Sequence, residues 1–386
     1  MARNERSQCL PLTPSVSGCL LLACGPDFAE SIRTIRAVIT HSASPKPPDH
    51  FPVTILNTVS PPLLVIQMLV PSPEDPQAPN HYSPFMVLPM SDIEPTGASF
   101  GAVVHNVELR SLDAAAFHVI HEAWLEYGLL IFPGQFFSTA EQDTFARRFG
   151  DLEFKATPIT NIGADATVRT NPDDDVVKAT RGTHGWHHDS TFMPLQAKGA
   201  VFSADIPAEG ADTRWADMRG AYDALDNPTR DLLRGLTAKH SLLYSMGRRD
   251  LLPQANEHGG YDKYGYHGQE APVRPLIKVH PDTGRPNLLA GAHAHDVSGM
   301  DPVESEKFLD RLHNQACLAA RVYQHEWTVG ETCIWDNRRL MHQGVPFDMT
   351  LPRRMWHTRI AGDPKSELAL NYSDPSPVDA DKPVFG

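Results

Sequence analysis

Gly185-Trp186-His187-His188-Asp189-Ser190-Thr191-Phe192 is the stretch on which the reading of this chain turns. In an extended segment, residues two apart face the same side, so His187 and Asp189 reach one metal ion while His188 points away. Two histidines and one carboxylate form a facial triad that leaves positions open on Fe(II), enough for a bidentate 2-oxoacid and O2. The pattern alone is weak. A chain with 19 histidines contains His-x-Asp by chance, and an ordinary polar strand explains an isolated match as well.

The third ligand strengthens the case. Trp335-Asp336-Asn337-Arg338-Arg339-Leu340-Met341-His342 follows a strand-like run over 331–334 and presents a histidine late in the chain. Eleven residues further on stands Arg353, where a neighbouring antiparallel strand brings a guanidinium near the metal. A cosubstrate with a distal carboxylate suits that fork, because arginine binds carboxylates bidentately. Without the triad, Arg353 reads as a surface ion-pair residue.

Outward from these segments, the chain has two textures. Residues 1–85 hold 14 of the 34 prolines and keep no helical or alternating period, so an irregular, disordered extension is expected there. One strand is conceivable within 63–70. The arginine- and serine-containing run at 31–46 invites an organelle-targeting reading, which Asp27 and Glu30 just before it weaken. From residue 86 to 365 the texture is that of a folded domain, and 366–386 reads as a tail. Residues 98–109 alternate apolar and polar, as a half-buried strand does. Asp113 caps an expected helix over 114–127, and 129–132 is a short buried strand. Ser138 with Glu141 forms a capping box for a second helix through 149. Helices are also expected over 218–234 and 302–317, with short strands between Gly/Pro turns elsewhere. The fold class is mainly β with flanking helices, around a double-stranded β-helix, or jelly-roll, core.

Composition narrows the function classes. The net charge of −13 and the lack of a long Lys/Arg run exclude a nucleic-acid or anionic-membrane surface as the main business of the chain. No apolar run approaches the ~20 residues of a membrane span. Cys9, Cys19, Cys24, Cys317 and Cys333 are odd in number and scattered, with no CxxC pair. A disulfide framework or zinc site is therefore not expected, and the default compartment is the reducing cytoplasm.

The segments around 186–192, 210–217 and 335–359 resemble the taurine dioxygenase, or TauD/TfdA, family. Supporting stretches are LLIFPGQ at 129–135, FARRFG at 145–150, ADMRGAYDAL at 216–225 and MWHTRIAG at 355–362. Within the family, the chain looks most like the aryloxyalkanoate dioxygenases of (S)-dichlorprop and 2,4-D type. The resemblance implies a 2-oxoglutarate-dependent dioxygenase that hydroxylates a small carboxylate-bearing substrate, with ether cleavage where the carbon bears an ether oxygen. It releases succinate and CO2 and uses Fe(II), 2-oxoglutarate and O2. By position, His187, Asp189 and His342 match the iron ligands, and Thr213 and Arg353 match the residues that hold the cosubstrate. Relatives place a substrate-binding arginine where this chain has His357, with Arg359 two positions on. Lys155 lies about where relatives place another anion contact, and His240 is a candidate for the pocket lining. Trp186 and Trp335 are expected to wall the site, and His293 reads as a core or surface group. The partner implied is a small anionic organic molecule, and self-association into a homo-oligomer is among the expectations. The same chemistry on an organosulfonate or a secondary-metabolite intermediate, and a non-catalytic jelly-roll sensor, are the competing readings.

Overall fold

The computed structural model describes residues 92–375, together with the backbone of two short strands, β1 (Cys19–Leu22) and β2 (Leu64–Gln67). These pair antiparallel, so the strand expected within 63–70 is present. The disorder expected of the rest of 1–85 falls outside the described residues, as does the tail from 376 onward. The chain divides into two units, Met1–Ser83 and Pro84–Gly386, and the second carries every candidate site residue.

That unit opens with β3 (Ile93–Pro95), β4 (Ala102–Val104), α1 (Ala114–Tyr127), β5 (Leu129–Phe132), α2 (Thr139–Ala146) and β6 (Leu152–Thr160). There follow α3 (Asp175–Gly182), β7 (Ala197–Ile206), β8 (Thr213–Asp217), α4 (Met218–Asp223), α5 (Asn227–Leu233), β9 (Thr237–His240) and α6 (Leu242–Gly247). Next are β10 (Val273–Pro275), β11 (Ile277–Val279), β12 (Pro286–Leu288), β13 (Ala294–His295) and α7 (Pro302–Ala316). The last elements are β14 (Val322–His325), β15 (Thr332–Asp336), β16 (Leu340–Gly344), β17 (Arg354–Ala361) and α8 (Pro364–Glu367).

Two sheets make the jelly roll. The larger runs β3-β4-β5-β15-β7-β17-β6 and the smaller β14-β8-β16. Apolar side chains from both meet between them: Phe202, Trp335 and Met355 from the large sheet pack with Trp215 and Leu340 from the small one. Trp215 and Trp335 sit edge to face with ring centroids 6.1 Å apart, a favoured aromatic geometry that fixes the spacing of the sheets.

Local sequence explains the helices that flank this core. Asp113 accepts from the Ala116 amide at the start of α1, and Gly128 ends it at φ +75°, a conformation a side chain resists. Ile120 and Trp124 are buried on its inner stripe. Ser138 and Glu141 form the expected capping box, but α2 stops at Ala146 rather than 149. The expected helix over 218–234 is two helices, because Asp226 caps a new start by accepting from Thr229 and a proline enters its first turn. The strand expected over 98–109 contracts to β4 between Gly101 at φ +84° and Asn106 at φ +55°, two breaks in extended backbone. Beyond residue 365, Glu367 is buried and paired with Lys278, so the domain continues into the stretch read as tail.

Candidate metal centre and active site

The extended reading of the His187–Asp189 stretch is replaced by something tighter. His187 makes an isolated antiparallel bridge to His342 on β16, and Ser190 follows Asp189 at φ +53° in a turn. The bridge places both imidazoles on one side, with ring centroids 4.2 Å apart. Asp189 Oδ1 lies 3.9 Å from His187 Nε2, and Oδ2 lies 3.8 Å from His342 Nε2. One ligand atom from each residue falls within 4.8 Å of the others, the spread of a single coordination site. His187 Nδ1 donates to the Gly185 carbonyl at 2.6 Å, which leaves the Nε2 lone pair free for a metal.

The electrostatics favour a divalent cation. Burial pushes His187 and His342 below the usual imidazole range, so both stay neutral and able to coordinate. Burial alone raises the Asp189 carboxyl, but the Arg359 guanidinium and adjacent imidazoles outweigh it and hold Asp189 well below the usual carboxylate range. Asp189 Oδ2 is buried without a hydrogen-bond partner, although buried polar atoms rarely go unpaired. An ion shared with two histidines satisfies it. The set fits Fe(II), which there supplies O2 activation coupled to decarboxylation of a 2-oxoacid.

Asn337, which the sequence reading passed over, and Arg359, which it offered as a substrate contact, hold Asp189 in place. The Asn337 side chain accepts from the Asp189 amide at 2.7 Å and donates to the Asp189 carbonyl at 3.0 Å and the Ala197 carbonyl at 2.8 Å. His188 points away as expected, with Nδ1 donating to the Asn337 carbonyl at 2.8 Å. Arg359 donates to Asp189 Oδ1 at 2.8 Å and to Ser190 Oγ at 2.9 Å. Asn337 stands one residue after Asp336 in the quoted Trp335–His342 motif, so its position was visible even though its partners were not.

A cavity opens over the triad. Thr213, Arg353, Phe202, Trp335 and Ile159 line one part of it. Arg353 is buried, its Nε has no hydrogen-bond partner, and burial pushes the guanidinium down to about 10. Such a cation is costly unless an anionic ligand joins it. Its placement corrects one expectation: β16 and β17 are not neighbours but belong to different sheets. Arg353, just ahead of β17, therefore shares the cavity lining with His342 from the other sheet. Thr213 Oγ1 accepts from Trp327 Nε1 at 2.9 Å.

The other candidates divide. His357 and Arg359 line the cavity, whereas Lys155 is exposed and His240 is buried, and neither contributes to the lining. At Lys155 the pairing of β6 with β17 shifts register, which breaks the alternation that places side chains on faces. Trp335 walls the site, but Trp186 instead packs against a separate core cluster. His293, read from sequence as a core or surface group, lines the cavity and bonds Ser245 Oγ through Nδ1 at 2.8 Å. Leu242 and Met246 from α6, Arg249 two residues past its end, and Lys178 from α3 also line the cavity. Arg249 donates to the Gly182 and Arg181 carbonyls, tying the turn after α6 to the end of α3.

A jelly roll that closes two histidines and one carboxylate around a cavity with a buried, unpaired arginine defines a non-haem Fe(II), 2-oxoglutarate-dependent dioxygenase. The family model "Taurine catabolism dioxygenase TauD, TfdA family" matches residues 92–360, and the chain belongs to this family. It is 50% identical over 286 residues to the (S)-phenoxypropionate/alpha-ketoglutarate-dioxygenase of Sphingobium herbicidovorans, covering 74% of this chain and 99% of that one. It is 33% identical over 273 residues to the alpha-ketoglutarate-dependent 2,4-dichlorophenoxyacetate dioxygenase of Cupriavidus pinatubonensis, covering 66% and 92% of the two chains. Among solved structures, AAD-2 in complex with Mn(II) and N-oxalylglycine superposes with a TM-score of 0.66 at 29% identity, covering 72% of this chain and 98% of that one. Among the described residues no helix is long and apolar enough to cross a membrane.

Proposed function

We propose that the chain oxidises small aryloxyalkanoate-type carboxylates at the carbon bearing the ether oxygen. One O2 is consumed, 2-oxoglutarate becomes succinate and CO2, and the substrate C–H becomes C–OH. The resulting hemiacetal or hemiketal then expels a phenol and leaves a carbonyl product. The observation that carries this reading is the mixed lining of the cavity over the triad. Thr213 and Arg353 in that lining suit the distal carboxylate of 2-oxoglutarate, and Phe192, Leu242, Met246 and Tyr264 suit an aryl ring. The two relatives named above act, by their names, on phenoxypropionate and 2,4-dichlorophenoxyacetate.

In this proposal, His187, Asp189 and His342 hold the iron, Arg353 binds the far carboxylate of the cosubstrate as a fork, and Thr213 donates its hydroxyl to it. The buried aromatic wall keeps water from the reacting carbon. His357 is assigned to the substrate anion, because its Nδ1 is buried without a hydrogen-bond partner and its Nε2, 3.5 Å from Asp189 Oδ2, makes no hydrogen bond, while Arg359 is engaged with Asp189 and Ser190. Lys178, Arg249 and Lys263 give the cavity lining a basic character in an otherwise acidic chain, which favours entry of anions. Cytoplasmic residence belongs to the same proposal, supported by Cys317 and Cys333, which are both free thiols.

The test is a succinate assay with Fe(II), 2-oxoglutarate and a panel of aryloxyacetates, both enantiomers of 2-aryloxypropanoates, taurine and alkyl sulfates. Succinate and phenol released in equal amounts with an aryloxyalkanoate support the proposal. Stimulation by a sulfonate or sulfate ester alone moves the substrate to that class.

A further inference from the structure

We propose that Glu153 is a positioning residue that ties the substrate-facing wall of the cavity to the carboxylate ligand of the metal. Glu153 lies on β6 and does not line the cavity, yet two sides of the site converge on it. The Tyr264 hydroxyl donates to Glu153 Oε1, and the Ser190 hydroxyl donates to Oε2 at 2.8 Å. Ser190 in turn accepts from Arg359 Nη1 at 2.9 Å, while Arg359 Nη2 donates to Asp189 Oδ1 at 2.8 Å. Arg359 Nε stands 3.9 Å from Glu153 Oε2. One guanidinium is therefore shared by two carboxylates, of which only Asp189 reaches the metal. The Phe154 ring lies 4.6 Å from that guanidinium, and Arg359 is buried, so water does little to screen the sharing.

Tyr264 is the other end of the chain of contacts. Its ring meets Phe154 and Phe192 edge to face, at 5.9 and 6.2 Å, and lines the cavity. Because its hydroxyl is committed to Glu153, it offers a substrate its ring and not its O–H. It belongs to the segment between α6 and β10, which is also fastened to the metal loop where the His267 ring bonds the Phe192 carbonyl at 2.9 Å. A molecule that presses on Tyr264 shifts Glu153, changes how Arg359 divides itself, and so alters how strongly Asp189 donates to the metal.

The inference rests on the metal-site reading and not on any one substrate. Mn(II) binding to the metal-free full chain, followed by calorimetry, is the first readout, with wild type compared to Glu153→Gln. Gln keeps the size but leaves Asp189 as the one carboxylate beside Arg359, and the expected result is an Mn(II) Kd raised by about tenfold, within the range of outer-sphere substitutions. The second readout is the ratio of 2-oxoglutarate consumed to product formed, measured with whichever panel compound the wild type oxidises. Tyr264→Phe, which removes the hydroxyl's bond to Glu153, is expected to raise that ratio and to move the Mn(II) Kd away from the wild-type value. A folded Glu153→Gln protein that binds Mn(II) like wild type overturns the proposal, and so does a Tyr264→Phe protein as tightly coupled as wild type. If Glu153→Gln does not fold, the Tyr264→Phe arm decides. Failure of every aryloxyalkanoate would remove the substrate assignment and leave the Mn(II) readout standing.

Discussion

The amide of His187 donates to the carbonyl of His342 and the amide of His342 donates back to His187, both at 2.9 Å. This reciprocal pair joins the two imidazole ligands through their backbones, so the side chains are free to serve the metal alone. Replacing either histidine by alanine leaves the bridge intact. We therefore expect His187→Ala and His342→Ala to fold, with near-native circular dichroism, and to release no substrate-dependent succinate. Asp189→Ala should also lose activity but melt lower, because it removes the hydrogen-bonded carboxylate of the buried Arg359 and leaves it only Glu153 at 3.9 Å. Breaking a buried pair in this way costs about 3–5 kcal/mol. Normal turnover by two of the three variants would refute the triad.

Arg353 sets the affinity for the cosubstrate if the unpaired guanidinium is its carboxylate clamp. Losing one partner of a buried, hydrogen-bonded charge pair costs about 2–5 kcal/mol, or roughly thirtyfold to several thousandfold in affinity. Arg353→Ala should raise the KM for 2-oxoglutarate by at least the lower figure, and Mn(II) binding should stay unchanged. A normal KM would assign the clamp elsewhere.

Trp327 should assist by a simpler route. Indole N–H only donates, so Thr213 Oγ1 uses a lone pair on it and keeps its own proton for a carboxylate in the cavity. Thr213→Val is expected to weaken 2-oxoglutarate binding by about 1.5–3 kcal/mol, the worth of a hydrogen bond to a charged group. Trp327→Phe should give a smaller loss that is not additive with Thr213→Val. Full additivity in this double-mutant cycle would show that the two act separately.

Asn337 binds three backbone groups around the metal loop, and its removal leaves the Asp189 amide and carbonyl unsatisfied. Each such buried group costs about 1–3 kcal/mol. Asn337→Ala is therefore expected to lower the melting temperature and weaken Mn(II) binding together, by about tenfold or more in Kd. Lowered stability with unchanged metal affinity would limit Asn337 to a purely structural part.

His188 makes a prediction about pH. Burial pushes its imidazole from the ordinary 6.5 down to about 4, against the pull of the Asn337 carbonyl. Between those values the unfolded chain binds a proton that the folded chain refuses, so stability is present above about 6.5 and is lost as the pH falls towards 4. In metal-free protein, the drop in urea midpoint between pH 7 and pH 5 should be smaller for His188→Gln than for wild type. Equal drops would mean that other groups carry the acid sensitivity.

Local chemistry made much of the fold legible in sequence. Asp113 and Gly128 bracket α1 at its observed ends, Ser138 and Glu141 start α2, and the four apolar residues of β5 are buried throughout. Signals of this kind act within a few residues and need no tertiary partner. The errors fall where position relative to other elements decides. Lys155 sits at a register shift and turns to solvent, Trp186 packs into another cluster, and His293 is drawn to the cavity by the course of the chain between β12 and β13.

The amino-acid sequence by itself determined which side chains meet the metal, because ligand chemistry admits few residue types and motif spacing carries them. It also determined the jelly-roll class, through strand length, turn residues and the family motifs. Only the tertiary structure decided what Arg359, Glu153 and Asn337 do. A guanidinium has the same sequence signature whether it binds substrate or a neighbouring carboxylate. The difference lies in which acceptors stand within about 3 Å of it, and those acceptors come from strands and loops far apart in the chain.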